Sequence, residues 1–207
     1  MTLKKWFMAL VIGSMTLVAG AAAFDPHLEL AETYDVQVTQ YYQQGRFQQA
    51  LPLAKKALNI RTKLLGEKHA DTLRSLNYLA EIYRELGRFS KALPLSEKCY
   101  RLAKEVLGEK HPNTLGSLNN LVIIYQSLGR LEVALPLAEK NYLLVKKVLG
   151  KKRPETITAL NNLVMIYQNL GRLDDALPLA KECYRLSQAV VGKKHFFHKK
   201  IIFFCQR

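Results

Sequence analysis

The side chains in this sequence that could hold a metal or attack a substrate are His27, His69, His111, His195 and His198, with Cys99, Cys183 and Cys205. A metal centre needs such ligands to converge, usually from positions a few residues apart. Here His69, His111 and His195 fall on one register of 42 residues, and Arg153 takes the remaining place in it. Cys99 and Cys183 stand 84 residues apart, twice that interval. Groups repeated at a long fixed spacing are strung along an array instead of meeting at a point. The junction histidines therefore read as residues that start helices or pack loops. Cys99 and Cys183 read as small buried side chains. "GEKH" and "GKK" suggest phosphate binding only superficially, because no G-x-x-x-x-G-K-[ST] is present and no strand precedes them. The sequence predicts no catalytic residue, no metal and no cofactor.

Amides are the better candidates. Asn77, Asn119 and Asn161 form a ladder with the same 42-residue step. An asparagine side chain both donates and accepts, so it suits a peptide main chain of any sequence. Helical spacing places Arg74, Asn77, Glu81 and Arg84 in one stripe. The matching stripes are Gly116, Asn119, Ile123 and Gln126, then Thr158, Asn161, Met165 and Gln168. Two roles stand open for the ladder. It could grip a partner's backbone, with Arg74, Arg84, Ile123 and Met165 selecting side chains. Alternatively it, or the adjoining Asn120 and Asn162, could bond one unit to the next.

The elements that carry these stripes are written in the same repeat. Gly45, Gly87, Gly129 and Gly171 are each 42 apart, as are Gly66, Gly108, Gly150 and Gly192, and as are Pro52, Pro94, Pro136 and Pro178. Residues 109–150 and 151–192 share 24 of 42 identities, enough to treat them as copies. In each copy Leu115, Leu118, Leu121, Val122 and Tyr125, or their equivalents, give one apolar helical face that ends at a glycine. A second helix runs from about Leu131 to Gly150 through Ala134, Leu135, Ala138, Tyr142 and Val145. Their lengths, about 16 and 19 residues, are too short to persist alone, so stacked neighbours must cover each pair. The prolines, about six residues into the second helix, should bend it without ending it. Ala50, Ala92, Ala134 and Ala176 leave room for close helix crossings.

The stretches "HADTLRSLNYLAEIYRELGRFSKALPL" from His69, "HPNTLGSLNNLVIIYQSLGRLEVALPL" from His111 and "RPETITALNNLVMIYQNLGRLDDALPL" from Arg153 carry a family resemblance, joined by "YYQQGRFQQALPL" from Tyr41. This pattern resembles the tetratricopeptide repeat, in the 42-residue variety found in kinesin light chains and many bacterial repeat proteins. The resemblance implies an all-α fold, a right-handed superhelical solenoid of stacked antiparallel helix pairs. It also implies a concave groove, lined by first helices, that holds a peptide segment of a protein partner. The expected organisation is a secretory signal at 1–23, a capping and degenerate repeat at 24–66, and repeats at 67–108, 109–150 and 151–192. Residues 193–207 then leave the pattern. In the first unit Gln37 and Val38 stand where other units have leucine and a small or branched apolar residue, and Glu29, Glu32 and Asp35 add polarity, as an end face requires.

The two termini raise the question of compartment. Lys4 and Lys5, the apolar run Trp6 to Val18, and Ala21-x-Ala23 give the order of a secretory signal, with an uncleaved anchor as its alternative. The mature chain would sit in the periplasm or outside the cell. Its formal charge falls from +14 to +12 when Lys4 and Lys5 are removed, since no acidic residue precedes Asp25. The basic residues are dispersed and form no nucleic-acid motif, so the charge reads as solvated helix surface. The tail "KKHFFHKKIIFFCQR" breaks the repeat register after His195. A truncated or frame-shifted array, the binding half of a larger protein, accounts for that break. A basic amphipathic tail that packs on the last helix or touches a membrane surface is the other reading. Nothing in the sequence specifies an oligomeric state.

Overall fold

A computed structural model describes residues 25–191. The signal-like segment and the aromatic tail lie outside the described residues. Eight helices run through the described chain, and no strand occurs among them: α1 Pro26–Gln43, α2 Phe47–Leu65, α3 Ala70–Glu85, α4 Phe89–Leu107, α5 Pro112–Ser127, α6 Leu131–Leu149, α7 Pro154–Asn169 and α8 Leu173–Val191. From α3 onward the first helix of each pair has 16 residues and the second 19.

Short-range chemistry fixes these boundaries. The imidazole Nδ1 of His69 accepts the Asp71 amide at 3.2 Å, and His111 accepts that of Asn113 at the same distance. These junction histidines are therefore N-caps, satisfying an N–H that the first turn leaves without a partner. Arg153 cannot accept. Its helix start is held instead by Thr156, whose Oγ1 donates to the Gly150 carbonyl at 2.7 Å. At the other end of α3, Gly87 has φ 68° and donates to the Arg84 carbonyl, while the Arg88 amide reaches back to Tyr83 at 2.8 Å. That is a Schellman closure, which needs a residue in the left-handed region. No atom crowds the missing Cβ at this position, so backbone conformation rather than space selects glycine. Pro52, Pro94, Pro136 and Pro178 each lie inside a continuous second helix, as expected.

Each helix packs against its neighbours in chain order, and α5 also touches α3 on one side and α7 on the other. The second helices α4, α6 and α8 make no comparable contacts among themselves, so the first helices form the inner wall of the stack. The core crosses unit boundaries: Ile124 of α5 is fully buried in one cluster with Val38, Ala50, Leu79, Ile82 and Ala92 of the two preceding pairs. Ala50, Ala92 and Ala134 are fully buried, which accounts for the small residue at every crossing. Cys99 and Cys183 are buried in equivalent places, and burial pushes the Cys99 thiol up to about 12. A second device recurs in three of the four units, while in the other Tyr83 is faced by Lys55 and Lys91. Arg46, Arg130 and Arg172 lie over the rings of Tyr41, Tyr125 and Tyr167, with 4.7–5.5 Å to the ring centre. The hydroxyls of Tyr125 and Tyr167 donate to Glu97 and Glu139 of the preceding second helix at 2.5 Å.

The two ends of the described stack differ. Gln37 and Gln40 of α1 are exposed where Leu79 and Ile82 of α3 are buried. Val38, in contrast, does not depart from the pattern: it is buried like Ala80 and Val122. Asp35 corrects a further expectation. It is no part of a polar end face, because its carboxylate turns inward to Arg61 at 2.7 Å. At the opposite end Leu177 of α8 is 52% exposed, whereas its equivalent Leu135 is 9% exposed beneath the following unit. No described helix is long and apolar enough to cross a membrane.

Candidate functional site

The stripes expected on the first helices do share one face, the inner wall. Arg74 and Met165 are exposed there, and Asn77, Glu81, Arg84, Asn119, Ile123, Gln126, Asn161 and Gln168 are half-buried. Asn120 and Asn162, one residue along, are buried. The accessible set is thus the 77, 119 and 161 set.

Those amides also hold the stack together. Asn120 Nδ2 donates to Asn77 Oδ1 at 2.9 Å, and Asn162 Nδ2 donates to Asn119 Oδ1 at 2.9 Å. Each buried asparagine therefore spends a donor on the half-buried asparagine of the preceding unit. From the second helix, Asn141 adds a longer bond of 3.3 Å to Asn119 Oδ1. Of the two roles left open by the sequence, the bonding of one unit to the next is therefore present, carried by the oxygens of Asn77 and Asn119 and leaving their NH2 groups for other partners. The Asn77 NH2 reaches Glu81 at 2.9 Å, and that of Asn161 reaches the Met165 sulfur at 3.5 Å. Asn119 Nδ2, Gln126 and Gln168 donate to nothing among the described residues.

Charge is confined to the N-terminal half of the wall. Arg74 lies 3.1 Å from Asp71 and 3.8 Å from Asp35, and Arg84 pairs with Glu85. Glu81 accepts from both Asn77 and Asn120, yet burial raises its carboxyl above the ordinary carboxylate range. Tyr42, facing Glu81 and Glu85, is pushed up to about 12, first by burial and then by those two carboxylates. Beyond α3 the wall is neutral, with Ile123, Gln126, Met165 and Gln168 as its side chains.

Sequence reasoning missed the first rung. Asp35 sits 42 residues before Asn77, so the ladder runs Asp35, Asn77, Asn119, Asn161, and counting back one period was the available signal. Its partner Arg61 is 2% exposed and also donates to Ser75 at 2.5 Å. No comparable signal marked Arg61, whose equivalents are Ala103, Val145 and Ser187. Among the described residues no group of three or more His, Cys, Asp or Glu is placed to hold a metal ion.

Comparison with known proteins agrees with this geometry. A family model described as tetratricopeptide repeat matches residues 29–105, 77–140 and 113–189. A solved kinesin light chain-like protein of nearly identical repeats from Podosopora anserina superposes with a TM-score of 0.70 at 24% identity, covering 86% of this chain and 82% of that one. BtubC (BKLC) from P. vanneervenii gives 0.72 at 21% identity, covering 91% and 75%. Aspartyl phosphate phosphatase F from Bacillus subtilis gives 0.68 at 19% identity, covering 82% of this chain and 43% of its own. No curated protein matches. At these identities the solved structures speak for the fold alone. The family model covers most of the chain, and with the 42-residue register and the stacked helix pairs it shows that this chain belongs to the tetratricopeptide repeat family, whose arrays act through protein–protein contact.

Proposed function

We propose that the chain is a non-enzymatic scaffold that binds an extended peptide segment of a protein partner along the inner wall of α3, α5 and α7. One observation carries this reading. The wall presents Asn119, Gln126 and Gln168 with amide donors spent on nothing among the described residues, interleaved with Ile123 and Met165. Unspent donors on a rigid surface suit a peptide main chain, and flanking apolar side chains add selectivity. The neutral half would contact backbone and apolar side chains, while Arg74, Glu81 and Arg84 sort charge. The pair α1 and α2 caps the array, and residues 1–23 direct export to the periplasm or the exterior.

The test begins with display selection of peptides against the chain lacking residues 1–23, followed by hydrogen exchange with and without a selected peptide. Protection should fall on α3, α5 and α7. Gln126→Ala with Gln168→Ala should weaken binding about tenfold while leaving melting unchanged, because neither side chain holds the stack. Protection confined to α4, α6 and α8, or unchanged affinity in the double variant, would refute the inner wall as the site. Export is tested separately by joining residues 1–30 to a reporter enzyme active only outside the cytoplasm.

A further inference from the structure

Between α1 and α3 the inner wall dips into a hollow of about 160 Å³. Tyr42 and Tyr78 line it together with the buried apolar side chains of Val38 and Ile82, and Glu81 supplies the carboxylate. Both amide donors that reach Glu81 take the same oxygen, Oε1, and Oε2 receives neither. The Tyr42 hydroxyl is turned to a second carboxylate, donating to Glu85 at 3.2 Å. The closest guanidinium, that of Arg84, is already paired with Glu85, and no lysine or arginine lines the hollow. In a chain with a formal charge of +14 this is a small anionic, aromatic recess without a cation of its own.

Such a recess matches one ligand chemistry. Aromatic faces attract a cation through their quadrupoles, and a mostly buried carboxylate gains most from a charged donor. The flexible apolar stem and compact ammonium head of a lysine fit an apolar lining with a carboxylate beside it. A planar guanidinium would want two carboxylate oxygens presented together, and Oε1 of Glu81 is engaged twice. We infer that this hollow is a specificity pocket that takes a lysine-type alkylammonium group from the partner segment. The inference rests on the inner wall being the binding face. It gives a register as well, since a lysine held at α1 and α3 places the residues on one side of it against Ile123 and Met165.

The probe is n-butylammonium chloride, titrated into the full chain at constant ionic strength and followed by NMR, with 1-butanol and butyrate as controls. Butylammonium should saturate shifts at Tyr42, Tyr78 and Asn120, and the two controls should not. Glu81→Gln should weaken that binding about tenfold or more. Thr39→Leu, which fills the rim of the hollow without touching the carboxylate, should block binding as well and guards against misfolding of the first variant. Equal response to butylammonium and butanol, or unchanged affinity in both variants, would overturn the pocket. Guanidinium binding more tightly than butylammonium would overturn the lysine assignment. The two readings separate cleanly: selected peptides that protect α3, α5 and α7 yet show no lysine preference sink the pocket alone. Butylammonium binding without any peptide binding sinks the inner wall as a peptide site and leaves the hollow.

Discussion

Arg61 and Asp35 offer a test in which the repeat supplies its own control. Arg61 is a guanidinium at 2% exposure whose Nη2 finds no partner, and Asp35 at 2.7 Å is its counter-charge. The third unit carries Asn119 and Val145 at the same two places, an uncharged solution to the same packing problem. Replacing Asp35 alone by Asn strands a buried cation, which costs about 3–5 kcal/mol. Replacing Arg61 alone by Val leaves Asp35 with Arg74 at 3.8 Å and some contact with water, so the loss should be nearer 1 kcal/mol. The double variant copies the third unit and should return to within about 1 kcal/mol of the parent, since apolar replacement of a buried pair is often neutral. The assay is urea unfolding followed by helical circular dichroism, read as a double-mutant cycle. A coupling energy of at least about 2 kcal/mol is expected. If Asp35→Asn costs under about 1 kcal/mol, or the two losses simply add, the pair is not what joins α1, α2 and α3.

Two glycines should respond with opposite signs. Gly129→Ala forces an alanine to φ 70° and should cost about 1 kcal/mol, whereas Gly116→Ala, in open space within α5, should gain about 0.5–1 kcal/mol. Paired melts at one pH decide, with about 2–4 °C expected per kcal/mol. Ala134→Leu puts a large side chain at a fully buried crossing and should lose about 1–3 kcal/mol by overpacking; a rise in melting temperature would contradict the close approach. For Glu81, burial raises the folded-state carboxyl above its unfolded value, so the folded state binds more protons between the two and stability from this group falls as pH rises through that window. Glu81→Gln should therefore gain on the parent in melting temperature from acid to neutral pH, and a gap that instead widens toward acid refutes the sign.

Much of the fold could be read from the chain because its determinants are local. Gly87 and Gly129 are demanded by backbone conformation, His69 and His111 by an open amide two residues on, and the apolar spacing from Leu115 to Tyr125 by one helical face. What escaped reading depends on supercoil geometry. The bond from Asn162 to Asn119 spans one period plus one residue, and only the offset between neighbouring first helices brings them together. Arg61 and Asp35 are 26 residues apart on different helices, so no periodicity in either helix announces the pair. Composition even misdirects at Asp35, where a carboxylate in an end unit suggests solvent. The stripe of the candidate site was legible as a face. The spent and unspent amides within it were not, because that distinction requires knowing which neighbour each amide reaches.

The rungs from Asn120 to Asn77 and from Asn162 to Asn119 make the stack a spring whose coils are clipped along the inner edge. Under the proposed peptide binding, a guest that competed for those oxygens would loosen a clip. Pitch and occupancy then become a single variable, and the array would report its cargo by changing length.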